Sequence, residues 1–202
     1  MLIIHHRRNT IKLIKDTPKE FGIEIDIRSD QNQLIVHHDP YTNGIKLQDL
    51  LKYYKHKLLI LNVKEEGLED YILEIMKENN IKSYFFLDQS FTFLLKTAKK
   101  GEKQCAIRVS EYESINTALA MSGLIEWIWI DIFNKLPINN HDYRILKEYG
   151  FKLCLVSPEL QNFPIEKIYR IQEELKEHEI KVDAVCTKEP QLWIHNKNPQ
   201  KC

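Results

Sequence analysis

The chain has 202 residues, a length suited to one globular core, and it reads as a single domain, 1–202, because no Ser/Gly/Pro-rich linker or low-complexity stretch divides it. Lys plus Arg (29) equal Asp plus Glu (29), so no net field draws the protein to nucleic acid or to an anionic membrane, and anion recognition has to be local. No apolar run approaches the ~20 residues of a membrane-spanning helix; the longest is broken by Glu126 and Asp131.

The first apolar run, 2–5, meets His5-His6-Arg7-Arg8-Asn9 at once, without the charged start and long apolar stretch of a signal peptide, which sets the expectation of a cytoplasmic protein. Residues 9–15 supply about two helical turns before Pro18. The run 23–27 carries Glu24 and Asp26, whose two-residue spacing puts both carboxylates on one side of a strand, roughly 6–7 Å apart along it. After the polar turn 29–32, residues 33–37 read as a hairpin-like excursion that ends in His37-His38-Asp39-Pro40. Pro40 drives Asp39 into an extended conformation and so orients the histidines. A third run, 58–63, ends in Asn62-Val63-Lys64. Beyond it, strand-like segments at 84–87, 105–109, 127–130, 152–156 and 182–186 alternate with helical patterns at 68–79, 91–100, 114–121, 141–148 and 165–178. Cys105, Cys154, Cys186 and Cys202 lie far apart with no C-x-x-C pair, and are expected as buried or free thiols of a reducing compartment.

Strands apolar on both faces and separated by helices imply a parallel sheet with covered faces, and eight of them imply closure into an α/β (β/α)8 TIM barrel, here a compact one with a small excursion after the second strand. A doubly wound open sheet is the alternative, but its glycine-rich phosphate fingerprint is absent.

In such barrels the reacting groups project from the C-terminal ends of the strands. Two carboxylates facing a barrel interior repel each other and lose hydration unless a cation or proton compensates them, whereas on a surface strand Glu24 and Asp26 would simply meet solvent. A hard divalent cation such as Mg2+ or Ca2+ suits oxygen ligands of this kind. Lys64 suits a phosphate. The paired histidines suit proton transfer near neutral pH. Arg108 offers a planar fork to a phosphate or carboxylate, or else an ordinary salt bridge, and Asp88, Asp131 and Ser157 are weaker polar strand ends. Trp127 and Trp129 fit core packing better than a pocket floor.

The order His-Arg, Glu-x-Asp, His-Asp and then a strand ending in Lys resembles the glycerophosphodiester phosphodiesterase family. Ile3-Ile4-His5-His6-Arg7 is similar to the family's opening strand and His-Arg-Gly, with Arg8 where glycine is usual. Ile23-Glu24-Ile25-Asp26-Ile27 is similar to its Ile-Glu-x-Asp-Val, Val36-His37-His38-Asp39-Pro40 to its His-Asp-Pro segment, and residues 182–187 with Pro190 to its closing motif. The family's Glu-x-Lys reads Asn62-Val63-Lys64 here, and its Glu-Asn-Thr segment leaves only an echo in Asn9-Thr10. The resemblance implies His6 and His38 as an acid/base pair, Arg7 and Lys64 as phosphate contacts, and Glu24, Asp26 and Asn62 as ligands of a metal, Mg2+ or Ca2+; Arg108 joins the substrate contacts on its own chemistry alone. It implies metal-assisted hydrolysis of a small phosphodiester, either glycerophosphodiester-like or sugar-linked. Asn62 removes one negative charge from the ligand set unless Asp131, Glu65 or Glu66 reaches in. That departure keeps open an inactive barrel that binds phosphate ligands or acts as a scaffold. A nucleic-acid substrate is disfavoured because no basic patch interleaved with aromatics is present.

Overall fold

The computed structural model of the chain describes residues 1–194. Eight parallel strands run β1 (Leu2–His5), β2 (Gly22–Asp30), β5 (Leu59–Val63), β6 (Tyr84–Leu87), β7 (Ala106–Val109), β8 (Trp127–Ile130), β9 (Lys152–Val156) and β10 (Ala184–Thr187). Ladders join β1 to β2, β2 to β5, β5 to β6, β7 to β8, β8 to β9, β9 to β10 and β10 back to β1. The remaining seam, between β6 and β7, is a single bridge, Phe86 with Cys105, backed by the Phe86 amide donating to the Gln104 carbonyl at 2.9 Å. This is the (β/α)8 barrel expected from the alternation of apolar runs and helical patterns.

The excursion after β2 is also present. β3 (Gln33–Val36) folds back antiparallel on the long C-terminal half of β2, and a two-residue strand, β4 (Ile45–Lys46), pairs with β3 before α2 (Leu47–Leu51). The outer helices are α1 (Ile11–Asp16), α3 (Glu69–Glu78), α4 (Phe91–Lys99), α5 (Ile115–Ala120), α6 (Asn140–Glu148), α7 (Glu166–Glu177) and α8 (Pro190–Ile194). β4, α2 and α8 are too short to leave a periodic trace in the sequence. The short α1 is stabilised at its start by the Thr10 hydroxyl, which accepts from the Leu13 amide at 3.2 Å. None of these helices is long and apolar enough to cross a membrane.

Strand alternation produces two apolar layers. Odd-numbered residues of β2 and β5, such as Ile23, Ile25, Leu59 and Leu61, face the helices, while Ile4, Ile60, Phe85, Trp127 and Cys186 fill the barrel interior. Phe85 and Trp127 stack inside at 4.6 Å between centroids, so the tryptophans are core, and Cys105, Cys154 and Cys186 are buried free thiols. Cys202 lies outside the described residues.

Gly22 opens β2 where β1 crosses it, and a Cβ there would stand 2.4 Å from Ile4 Cδ1 and 2.9 Å from the Leu58 carbonyl. Gly22→Ala is therefore expected to cost about 1–3 kcal/mol in urea unfolding, and adding Ile4→Val, which removes the clashing methyl, should recover part of that loss. No loss on Gly22→Ala would mean the strands are less tightly apposed than this.

His5, on the opposite side of β1 from His6, is pulled down to about 4 by burial and then by Arg8, and its Nδ1 is buried without a partner. Because the folded value lies below the unfolded one, the stability due to neutral His5 is complete above about pH 6.5 and is lost as pH falls toward 4. After discounting for partial exposure the loss is about 2 kcal/mol. Urea midpoints at pH 7 and pH 4.5 should differ less in His5→Gln than in the wild type.

Candidate active site

The two carboxylates that organise the C-terminal mouth of the barrel sit on β2. Glu24 and Asp26 are each only 1% exposed, which excludes the surface-strand alternative. Glu24 Oε2 accepts the Arg7 amide at 2.6 Å and Oε1 accepts the Asn62 side-chain amide at 2.9 Å. Arg7 holds a left-handed backbone (φ 51°) although it is not glycine, a local strain that turns its N–H onto Glu24. Burial and the adjacent Asp26 push the Glu24 carboxyl upward from the usual carboxylate range.

Asp26 Oδ2 accepts from Asn9 Nδ2 at 2.7 Å, and Asn9 Oδ1 accepts the Asp26 backbone amide at 3.0 Å, so one side chain holds both ends of that residue. Lys64 Nζ lies 3.2 Å from Asp26 Oδ1, and Arg7 Nε lies 3.5 Å from Oδ2. β2 and β5 pair so that Asp26 is directly opposite Asn62.

His6 Nε2 stands 3.8 Å from Glu24 Oε2, with its side chain 15% exposed. Burial, followed by the charge of Arg7, pulls His6 down to about 3, so its ring is neutral near pH 7. His38 sits at the rim instead. The His37 amide, donating to the Asp26 carbonyl at 3.1 Å, anchors the segment to the end of β2, and Arg28 Nε holds the His38 carbonyl at 3.0 Å. His38 Nδ1 pairs with Asp39 Oδ1 at 2.7 Å, leaving Nε2 available, and this bond holds the Asp39 carboxyl below its ordinary value. Arg8 is half-buried beside Glu24, and its Nε donates to the His6 carbonyl at 3.0 Å.

From Lys64 a line of charge continues around the rim. Lys64 Nζ is 3.6 Å from Asp88 Oδ2, Asp88 pairs with Arg108 across the thin β6–β7 seam, and Arg108 Nη1 is 3.6 Å from Asp131 Oδ2. Asp131 is 2% exposed and accepts from Gln161 Nε2 at 2.7 Å. A hollow of about 190 Å3 opens beside Lys64, Asp88 and Gln89. Of the residues expected from sequence, His6, Arg7, Glu24, Asp26, Asn62, Lys64 and Arg108 thus share one mouth, with His38 at its edge. Asn9 and Gln161 were not anticipated as site residues. Asn9 carried a signal only as the echo of a family motif, and Gln161, in a 3-10 turn (Pro158–Gln161), carried none.

Among the described residues no third carboxylate joins Glu24 and Asp26. Asp131 follows β8, four strands away from β2 around the barrel, Glu65 is held by Arg28 (3.3 Å) and the Ser29 amide (3.1 Å), and Glu66 is exposed. Among the described residues no cluster of three or more His, Cys, Asp or Glu side chains forms a metal cage. Two buried oxygens in this mouth, Asp26 Oδ1 and Asn62 Oδ1, nevertheless lack a hydrogen-bond donor. With Glu24 they make an all-oxygen set that fits a hard cation retaining several waters better than one needing a full protein cage.

The strands and helices together define a (β/α)8 barrel with a charged mouth at the C-terminal ends of its strands. A glycerophosphodiester phosphodiesterase from Agrobacterium tumefaciens C58 superposes with TM-score 0.62 at 11% identity over 96% of this chain and 97% of its own. A glycerophosphoryl diester phosphodiesterase from Parabacteroides distasonis gives TM-score 0.66 at 11% identity over 95% and 84%. A tryptophan synthase α-subunit from Pyrococcus furiosus also superposes, with TM-score 0.56 at 13% identity over 96% and 89%, so the barrel by itself does not specify a reaction. No protein-family model and no curated protein sequence matches the chain.

Asn9→Ala leaves the buried Asp26 amide without its acceptor and the Asp26 carboxylate without a donor. A loss of about 1–3 kcal/mol in chemical unfolding is expected, with Asn9→Asp at least as damaging because it sets two carboxylates together. An Asn9→Ala variant as stable as the wild type would show that Asn9 does not hold Asp26.

Proposed function

We propose that the protein is a divergent hydrolase of the glycerophosphodiester phosphodiesterase type, acting in the cytoplasm on a small phosphodiester. The observation that carries this reading is the convergence of Glu24, Asp26, Asn62, His6, Arg7 and Lys64 in the mouth of a barrel shared with such enzymes.

In this reading Arg7 and Lys64 hold the non-bridging oxygens of the substrate, the fork by directed hydrogen bonds and the ammonium as a point charge. His6 takes the proton of the attacking hydroxyl, and His38, with Asp39 behind it to stabilise an imidazolium, gives a proton to the departing alkoxide. With water as the attacking group, one phosphodiester and one water become a phosphomonoester and an alcohol. Glu24, Asp26 and Asn62 are the residues that would hold Mg2+ or Ca2+, which when bound polarises a phosphoryl oxygen. Asn9 keeps Asp26 in position for that role.

A second reading is a barrel that binds phosphate ligands without turnover. It is favoured by one observation, the Asn62 amide already donating to Glu24 where the family has a carboxylate.

Hydrolysis of bis-p-nitrophenyl phosphate and glycerophosphocholine, followed with Mg2+, Ca2+ and Mn2+ in turn, separates the two readings. Turnover that falls at least about 100-fold in His6→Ala and in His38→Ala is the expected result, within the usual range for losing a general acid or base. Absence of turnover with every metal, with inorganic phosphate still binding, would establish the second reading. Asn62→Asp should tighten Mg2+ or Ca2+ binding by about tenfold in calorimetry, since added ligand charge raises affinity at such sites.

A further inference from the structure

The far wall of the mouth is built differently from the phosphate side. Asp88 follows β6 in a left-handed conformation (φ 59°) that a non-glycine residue rarely adopts, and it faces Arg108 on β7. Asp131 ends β8, and Gln161 comes from the turn after β9.

Asp131 is fixed from several directions. Its Oδ1 accepts the Ile132 amide at 3.1 Å and Gln161 Nε2 at 2.7 Å. The loop beyond it is clamped by Glu111, whose carboxylate accepts the amides of Phe133, Asn134 and Lys135 at 3.2, 2.6 and 2.7 Å. Asp131 Oδ2 accepts no hydrogen bond among the described residues, although Arg108 Nη1 stands 3.6 Å away. An open carboxylate oxygen beside a guanidinium, on a side chain 3% exposed, is a prepared acceptor and donor pair.

Two carboxylates, Asp88 and Asp131, flank the one guanidinium of Arg108, so this wall is net negative. A second phosphate would gain little there. A hydroxyl group donates one hydrogen bond and accepts up to two, so vicinal hydroxyls match alternating carboxylate and guanidinium or amide groups. Arg108, Asp131 and Gln161 come from three neighbouring strand ends, two steps of roughly 4.8 Å, a span that hydroxyls set across a six-membered ring bridge and the two vicinal hydroxyls of a glycerol ester do not. We propose that one alcohol of the substrate is a sugar-sized polyol whose vicinal hydroxyls bind Arg108, Asp131 and Gln161. This rests on the phosphodiesterase reading for the phosphate beside it, while the polyol contact itself can be measured without turnover.

Two measurements test it. In turnover, kcat/KM for glycerophosphoinositol should exceed that for glycerophosphocholine by at least about tenfold, and Asp131→Asn and Gln161→Ala should each lower the ratio of glycerophosphoinositol to bis-p-nitrophenyl phosphate by about tenfold or more. In calorimetry, myo-inositol 1-phosphate or glucose 1-phosphate should bind more tightly than glycerol 3-phosphate to the wild type, with the difference abolished in Asp131→Asn. Loss of all turnover with the calorimetric difference intact would overturn the hydrolase reading and leave the polyol wall standing. Equal binding of the three phosphates by the wild type, or a substrate ratio unmoved by both substitutions, would overturn the polyol wall whatever the activity.

Discussion

Burial of Glu24 and Asp26 on one face of β2 is the constraint around which the rest of the mouth is arranged. Two ionised carboxylates on alternate residues inside a barrel, each 1% exposed, cost several kcal/mol per ion unless their lone pairs and charges are met. The chain meets them from the two strands that flank β2: the Arg7 amide and guanidinium and Asn9 after β1, and Asn62 and Lys64 at the end of β5. Each partner comes from an element adjacent to β2 in the sheet. The short β1-to-α1 connection and the β2–β5 register are therefore requirements of the carboxylates as much as of the barrel.

The excursion through β3 and β4 follows from the same strand. β2 runs three residues past its last barrel pairing, Ile27 with Val63, and its projecting end has to find a partner or be left as an open edge. β3 supplies that partner antiparallel and returns the chain to the end of β2, where the His37 amide donates to the Asp26 carbonyl and His38 follows at the rim. A histidine that could not be placed on a barrel strand thus reaches the site because β2 is too long for the barrel. The β6–β7 seam shows the converse. Backbone pairing there is reduced to one bridge, and the Asp88–Arg108 ion pair spans the gap at the rim.

Most of the barrel was legible in the sequence because its strands are apolar on both faces, a pattern that helices packed outside and side chains packed inside impose together. Glu24, Asp26, Asn62 and Lys64 were legible because each interrupts such a run with a polar group at a strand end. What was illegible depended on three-dimensional neighbours. Asn9 looks like ordinary turn chemistry until the β1–β2 contact sets it against Asp26. Gln161 lies in a four-residue turn with no periodicity, and the left-handed conformation of Asp88 occurs without the glycine that usually announces one. Arg8, at the position where the resembled family has glycine, donates its Nε to the His6 carbonyl, a contact set by local backbone geometry that residue type does not announce.

Asn62 also has a consequence for how the mouth divides its work. With Asn62 rather than a carboxylate, the charged groups around Asp26 number two acids, Glu24 and Asp26, against two bases, Arg7 and Lys64, so the phosphate side is close to balanced before any ligand arrives. Lys64 is shared between Asp26 at 3.2 Å and Asp88 at 3.6 Å, which ties that side to the far wall. Under the proposed function, a phosphate that drew Lys64 forward would weaken its hold on Asp88 and leave Asp88 held mainly by Arg108, coupling the two sides through side chains alone.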